Sequence, residues 1–230
     1  MLNKLKQYGI STFLKFAISE LVAVCWKRPV LHSYSQCSED LVLDKLLKFK
    51  KKGFYVDVGA YDPYRFSNTM RFYRRGWRGI NIEPDRGRWE RFTLVRPRDI
   101  NLNVGVGRKR GKLTFYRMDP QTISTFSKKQ ADEYLKQGFR LVGSLDVPVR
   151  TLERIFAAYA KRIDFLTLDV EGFEMEVLAS NDWKRFRPAL LCIETPEEKE
   201  KHMIIRFLKR KGYAMVFDNG LNSFYEDKHL

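Results

Sequence analysis

Cysteine is scarce in this chain of 230 residues: Cys25, Cys37 and Cys192 lie far apart, with no C-x-x-C pair among them. An odd, scattered set argues against a disulfide framework and against a structural zinc site, and points to a reducing compartment. Long apolar runs are lacking too. The apolar stretch near the N-terminus is interrupted by Lys15 and Glu20, which leaves it too short to span a bilayer. It also lacks the small-residue cleavage site of a secretory signal. No internal repeat, low-complexity linker or recognised RNA-binding motif occurs. Acid is the minority charge, with 28 Asp+Glu against 43 Lys+Arg and a formal charge of +15. That balance suits a polyanionic neighbour (nucleic acid, an anionic membrane face or a phosphate-bearing substrate) and equally a solvated basic surface.

What is present is a core. Apolar residues make up 44% of the chain, with 17 Phe, 11 Tyr and 4 Trp, enough to fill one large domain and too many for disorder. Residues 1–28 stand apart. Ile10, Phe13, Leu14, Ala17, Ile18, Leu21, Val22 and Cys25 recur at helical spacing, and Lys4, Lys6, Lys15, Lys27 and Arg28 oppose a single acid, Glu20. This reads as a basic amphipathic helix. It either lies on an anionic membrane surface or packs on the protein or a partner. Pro29 closes the segment, and residues 29–230 form the expected catalytic-size domain. The corresponding location is the cytoplasm, with peripheral attachment to the inner face of the cell membrane if the helix binds lipid.

Beyond Pro29 the pattern alternates between short apolar strands and helices. A helix is expected from Ser38-Glu39-Asp40 to the basic run ending at Lys52, and a strand over 53–59 that runs into a glycine turn. Ser67-Asn68-Thr69 caps a helix through Arg75; a strand follows over 79–84, a helix over 86–95 and a strand over 99–106. An extra strand covers 111–116, then a polar stretch reaches about Gly143, and 147–149 is extended. Thr151 caps a helix through Lys161, and the rhythm resumes with a strand over 163–170 and a helix over 173–180. A strand over 188–194 and a helix over 197–210 precede a closing pair around Asn219-Gly220, which adds one antiparallel strand. Alternation of this kind predicts one α/β domain with a doubly wound, mostly parallel sheet and helices on both faces.

In such sheets ligands bind beyond the carboxyl ends of the strands. Asp57-Val58-Gly59-Ala60-Tyr61 ends the first strand, and a glycine at 59 permits a tight turn close to a ligand; a dinucleotide fingerprint would need more glycines, and position 63 is proline. Glu83 ends the second strand, where an acid can accept hydrogen bonds from both hydroxyls of a ribose. Asp169-Val170-Glu171-Gly172 ends a later strand; two alternating carboxylates on one side can deprotonate a hydroxyl, hold a divalent cation, or merely cap the next helix. Glu194 adds a third acid on the same rim.

These blocks carry a family likeness. Residues 54–60 (FYVDVGA), 65–69 (RFSNT), 76–84 (GWRGINIEP), 96–106 (RPRDINLNVGV) and 163–172 (IDFLTLDVEG) resemble the FkbM family of methyltransferases, and Tyr34-Ser35-Gln36 with Glu39-Asp40-Leu41 is similar to its N-terminal signature. The resemblance implies a class I, Rossmann-like methyltransferase fold with S-adenosylmethionine as donor. It also implies O-methylation of a hydroxyl on a sugar or polyketide, the RFSNT block resembling members found among bacterial surface-glycan genes. The expected cofactor-binding residues are Gln36, Asp57, Gly59, Ala60, Tyr61, Glu83 and Asn103. Asp169 and Glu171 are expected at the reacting hydroxyl, and Arg65, Asn68 and Glu194 against substrate. If a metal such as magnesium takes part, Asp169, Glu171 and Glu194 are its expected ligands. The expected partner is a sugar or glycolipid hydroxyl, with no specific nucleic acid. Two departures from the family stand out: Ser38 where relatives often carry Gly, and Tyr61-Asp62 where a His pair is common. A nucleic-acid methyltransferase or RNA-binding module, and a non-catalytic membrane scaffold on the same fold, are the competing readings.

Overall fold

A computed structural model describes residues 33–160, 162–195 and 198–229; the amphipathic segment 1–28 lies outside the described residues. The described residues begin with α1 (Glu39–Leu46), β1 (Phe54–Val58), α2 (Met70–Arg74), β2 (Arg78–Ile82), α3 (Arg86–Val95) and β3 (Ile100–Leu102). A second group follows: β4 (Gly105–Val106), β5 (Gly111–Asp119), α4 (Lys128–Lys136) and β6 (Arg140–Arg150). The remainder is α5 (Leu152–Tyr159), β7 (Phe165–Leu168), α6 (Glu174–Leu178), β8 (Leu190–Glu194), α7 (Glu198–Lys209), β9 (Tyr213–Asp218) and β10 (Asn222–Asp227).

Among the described residues the main sheet has seven strands in the order β3-β2-β1-β7-β8-β10-β9. β3, β2, β1, β7 and β8 pair in parallel, whereas β10 is antiparallel to both of its neighbours. The Asn219-Gly220 turn makes that reversal. Gly220 takes φ 90°, and Asn219 Oδ1 accepts from the backbone of Leu221 (3.1 Å) and Asn222 (2.6 Å). The expected antiparallel hairpin strand is therefore present, but it slots between β8 and β9 instead of extending the edge.

Strand composition explains the layering. β7 and β8 are buried throughout, as strands covered on both faces must be. Alternate residues feed two cores. Val56, Val58, Ile80, Leu166, Leu168 and Ile193 pack with Leu152, Ile155 and Phe156 of α5 and with Ile204 and Leu208 of α7. Tyr55, Phe165, Cys192 and Phe224 point the other way, against Leu43 of α1 and against Phe72 and Trp77. Helices on both faces of a mostly parallel sheet form a Rossmann-like, doubly wound fold.

Three expectations change. The single strand over 99–106 is two strands: β3 edges the main sheet, while β4 pairs with β6 in a separate three-stranded sheet of order β4-β6-β5. The break is at Asn103, whose amide turns back to donate to the carbonyls of Glu83 and Pro84, both at 3.0 Å. The polar stretch up to Gly143 contains helix α4 and the start of the long strand β6. Most of β6 is exposed and α4 buries only Ala131, so neither shows the apolar periodicity that betrays a core element. The first helix stops at Leu46, and Lys48 and Phe49 both adopt positive φ.

Ser38, at the position where relatives often have glycine, has φ 65° and makes no side-chain capping bond. A side chain in the left-handed region costs roughly 1 kcal/mol that glycine avoids. Ser38→Gly is expected to raise the denaturation midpoint slightly; a fall would show that the hydroxyl contributes where the backbone geometry says it does not.

Candidate active site

The carboxyl ends of β1, β2, β7 and β8 meet at the point where the sheet order reverses, between β1 and β7. The turn after β1 is held to the β2 and β7 ends. The N–H groups of Gly59 and Ala60 donate to Ile82 O (3.1 and 3.2 Å), and Asp169 N donates to Val58 O (3.1 Å). Gly59 has φ 80°, and a Cβ there would sit 1.8 Å from Asp169 O. Only glycine lets the two loops approach this closely.

Glu83 anchors one half of the site. It is buried, and each of its oxygens accepts a backbone N–H: Oε2 from Tyr61 (2.9 Å), Oε1 from Asp85 (2.8 Å). Arg88 lies 3.8 Å from Oε1 and stacks on the Tyr61 ring with 4.5 Å to its centroid. Burial nevertheless wins over these partners and pushes the Glu83 carboxyl up to about 7. Tyr61 reaches this arrangement with φ 55°. Asn103 bonds the carbonyls of Glu83 and Pro84, so Gly59, Ala60, Tyr61, Glu83 and Asn103 form one continuous rim.

Asp57 has a different environment. Its Oδ2 accepts from Thr69 Oγ1 at 2.6 Å, and burial raises its pKa to about 6. Behind it lies Arg96, fully buried, donating to Pro63 O, Thr69 Oγ1, Asn81 Oδ1 and Ser67 Oγ. Asp57 thus ties the 63–69 loop to β1. Asn68 in that loop donates to Thr167 Oγ1 on β7 at 2.9 Å, whereas Arg65 is exposed and its guanidinium lies 5.8 Å from the Phe66 ring centre. Gln36 is exposed on the loop into α1, a loop joined to the Arg65 loop through Ser67 N and Tyr34 O (2.9 Å).

Acids form the other half. One carboxylate oxygen from each of Asp169, Glu171 and Glu194 lies within 4.8 Å of the other two. Strand alternation does not bring them together: β7 ends at Leu168, and Glu171 (φ 54°) and Gly172 (φ 80°) turn the chain left-handed. The turn is pinned from three directions. Glu174 Oε1 accepts from Val170 N (3.1 Å) and Gly172 N (3.3 Å), Thr125 Oγ1 donates to Glu171 O (2.8 Å), and the Tyr134 hydroxyl donates to the Glu171 carboxylate. Asp169 is ringed by protein yet open to solvent, as a group on the floor of a cleft is. Burial raises all three pKa values. Glu171 reaches about 8, with the Asp169 charge adding to burial and the Tyr134 bond opposing it. Glu194 rises further because burial combines with the charges of Asp169 and Glu171.

The residue pattern alone assigns no site role to Arg96, Thr125, Tyr134 or Glu174. Only Glu174 carried a local signal, an acid opening a helix just after a glycine turn.

The methyltransferase FkbM domain model matches residues 57–215, well over half of the chain. The chain belongs to the FkbM methyltransferase family. Among solved structures it is similar to an FkbM methyltransferase from Methylobacillus flagellatus KT (17% identity, TM-score 0.52). That match covers 79% of this chain and 45% of the other, so this FkbM chain spans less than half of that relative's length. A putative RNA methyltransferase from Pyrococcus horikoshii aligns at 10% identity and TM-score 0.43, covering 88% of this chain and 91% of its own. A methyltransferase from Geobacter sulfurreducens aligns at 15% and 0.43, covering 92% and 88%. No curated protein matches. This chain accordingly carries a methyltransferase FkbM domain on a Rossmann-like fold. Among the described residues no helix is long and apolar enough to cross a membrane.

Proposed function

We propose that this FkbM protein transfers a methyl group from S-adenosylmethionine to a hydroxyl of a sugar in a bacterial surface glycan or glycolipid. The observation that carries this is the placement of the Glu83 rim and the three-carboxylate cluster on either side of one backbone contact, Gly59 against Asp169. The two backbone N–H bonds aim the Glu83 carboxylate and leave lone pairs for the two hydroxyls of a ribose. Asp57, Gly59, Ala60 and Tyr61 shape the bed on which the rest of the donor lies, with Asn103 near the adenine. The bound donor supplies an electrophilic methyl group; the protein aligns the acceptor and removes one proton. A sugar hydroxyl is a weak nucleophile at neutral pH. Asp169, open to the cleft, accepts its hydrogen bond, and Glu171 and Glu194, whose pKa values burial raises, offer both an O–H donor and acceptor oxygens to a hydroxyl-rich, uncharged ring. Arg65 and Asn68 lie on the loop that would hold further substrate oxygens.

The test is transfer of a labelled methyl group into glycan and glycolipid fractions, with identification of the modified sugar. Label entering RNA and no sugar would overturn the reading.

Glu83 gives a second test. Glu83→Ala is expected to weaken donor binding by roughly 1–3 kcal/mol, the scale for a hydrogen bond to a charged group. Because burial lifts the carboxyl to about 7, donor affinity should be flat above pH 8 and decline as pH falls through 7, when the acid takes up a proton. The stability effect has the opposite sign. A raised carboxyl favours the folded state at low pH and loses that advantage as pH rises from its unfolded value through 7. Glu83→Gln should therefore lose this pH dependence of stability, and, with an amide nitrogen facing one of the two backbone N–H groups, bind the donor less well. Calorimetry across pH 5.5–8.5 reads the binding limb, and an affinity independent of pH removes Glu83 from the donor site.

A further inference from the structure

We propose that Asp169, Glu171 and Glu194 together bind one hard divalent cation, Mg²⁺ or Mn²⁺; this rests on reading the cluster as the acceptor site and names the ion that site would use. Their nearest oxygens fall within 4.8 Å of one another. Oxygens this close can draw in to the roughly 2.0–2.1 Å that Mg²⁺ requires by small side-chain rotations, and carboxylate oxygens are the donors such ions select. Asp169 opens to the cleft and provides the way in. Glu171 is already fixed by Tyr134 and Thr125, so little order remains to be imposed.

Two further observations set this cluster apart from an ordinary patch of acid. Glu194 is only 8% exposed, and its Oε2 is shielded from solvent with no hydrogen-bond partner among the described residues. The chain also carries 43 Lys+Arg and pairs several of its other buried acids with them, while buried Glu39 and Asp57 are held by neutral hydrogen-bond donors. Arg71 and Arg75 hold Asp44, Lys50 holds Asp164, and Arg187 holds Asp227. Among the described residues no Lys, Arg or His forms an ion pair with Asp169, Glu171 or Glu194. In so basic a protein, three converging acids with no cationic side chain leave their positive partner to come from solution, as a metal ion or as a shared proton.

Those two partners are separable by experiment. The full chain is stripped with chelator and titrated with Mn²⁺, with free ion followed by electron paramagnetic resonance, and in parallel with Tb³⁺, with luminescence excited through tyrosine. One Mn²⁺ per chain is expected, with binding weakened at least tenfold in Asp169→Asn and in Glu194→Gln. Glu226→Gln, at an exposed pair with Lys228, should bind like the wild type. Tyr134→Phe should still bind Tb³⁺ with weaker sensitised emission, since the Tyr134 hydroxyl touches one ligand. Both acid variants remove a like charge while keeping shape, so they are expected to fold, and thermal unfolding verifies it; Glu171→Gln supplies a third variant. No Mn²⁺ bound at millimolar concentration, or binding that survives both substitutions, overturns the cation and leaves the proton. A bound ion in a protein that methylates no sugar overturns the acceptor reading and keeps the site.

Discussion

Asp169→Asn is expected to lower turnover by roughly 10²-fold or more, the usual yield of general acid–base help, while donor affinity stays at the wild-type value. The separation follows from where the residue's two ends are engaged. Its backbone N–H is bonded to Val58 and its carbonyl faces Gly59, so the turn that supports the donor does not depend on the side chain. The carboxylate opens instead to the cleft beside Glu171 and Glu194. Asparagine keeps the shape and loses the charge, and with it the ability to accept the proton of the hydroxyl. Single-turnover kinetics alongside donor titration would check both halves. Wild-type turnover in this variant would reduce Asp169 to a support for the turn.

Arg96→Met should cost about 3–5 kcal/mol of stability, the range for removing one partner from a buried charged network. Arg96 has no exposed surface, and its guanidinium bonds Pro63, Ser67, Thr69 and Asn81 while packing between the rings of Phe92 and Tyr73. Removing it strands those acceptors and takes away a positive charge that favours ionised Asp57. Arg96→Lys should recover only part of the loss, because an ammonium cannot reproduce a planar fork bonded on several sides. Chemical denaturation measures the difference. A loss below about 1 kcal/mol, as at an ordinary surface position, would show that the network is not a buried support of the site.

These two residues also show what the sequence made legible. The turn at Gly59 and the acid at Glu83 follow from strand ends in a βα pattern, because topology alone delivers them to the same edge. Asp169 and Glu171 were placed together for the wrong geometric reason. Strand alternation suggested a shared side, whereas a left-handed turn makes the meeting, and nothing in the residue order announces a positive φ at a glutamate. Arg96 is opaque for another reason: hydropathy assigns arginine to solvent, and its burial depends on acceptors that come mainly from a loop about thirty residues earlier. Tyr134 belongs to a helix with one buried residue, so its reach to Glu171 was invisible before α4 was placed.

The position of β10 bears on how the molecule is made. Residues 222–227 form an interior strand, between β8 and β9, and Asn222 donates to Glu39 at the first described helix. Synthesis delivers these residues after everything they bridge. A nascent chain that has emerged only as far as β9 has the parallel strands but a gap in the sheet, with apolar edges exposed to neighbouring chains. β10 is therefore a checkpoint for solubility: ribosome-stalled or proteolysed forms ending before Asn222 should partition to chaperones or aggregates, even though every residue of the acidic cluster has already been made.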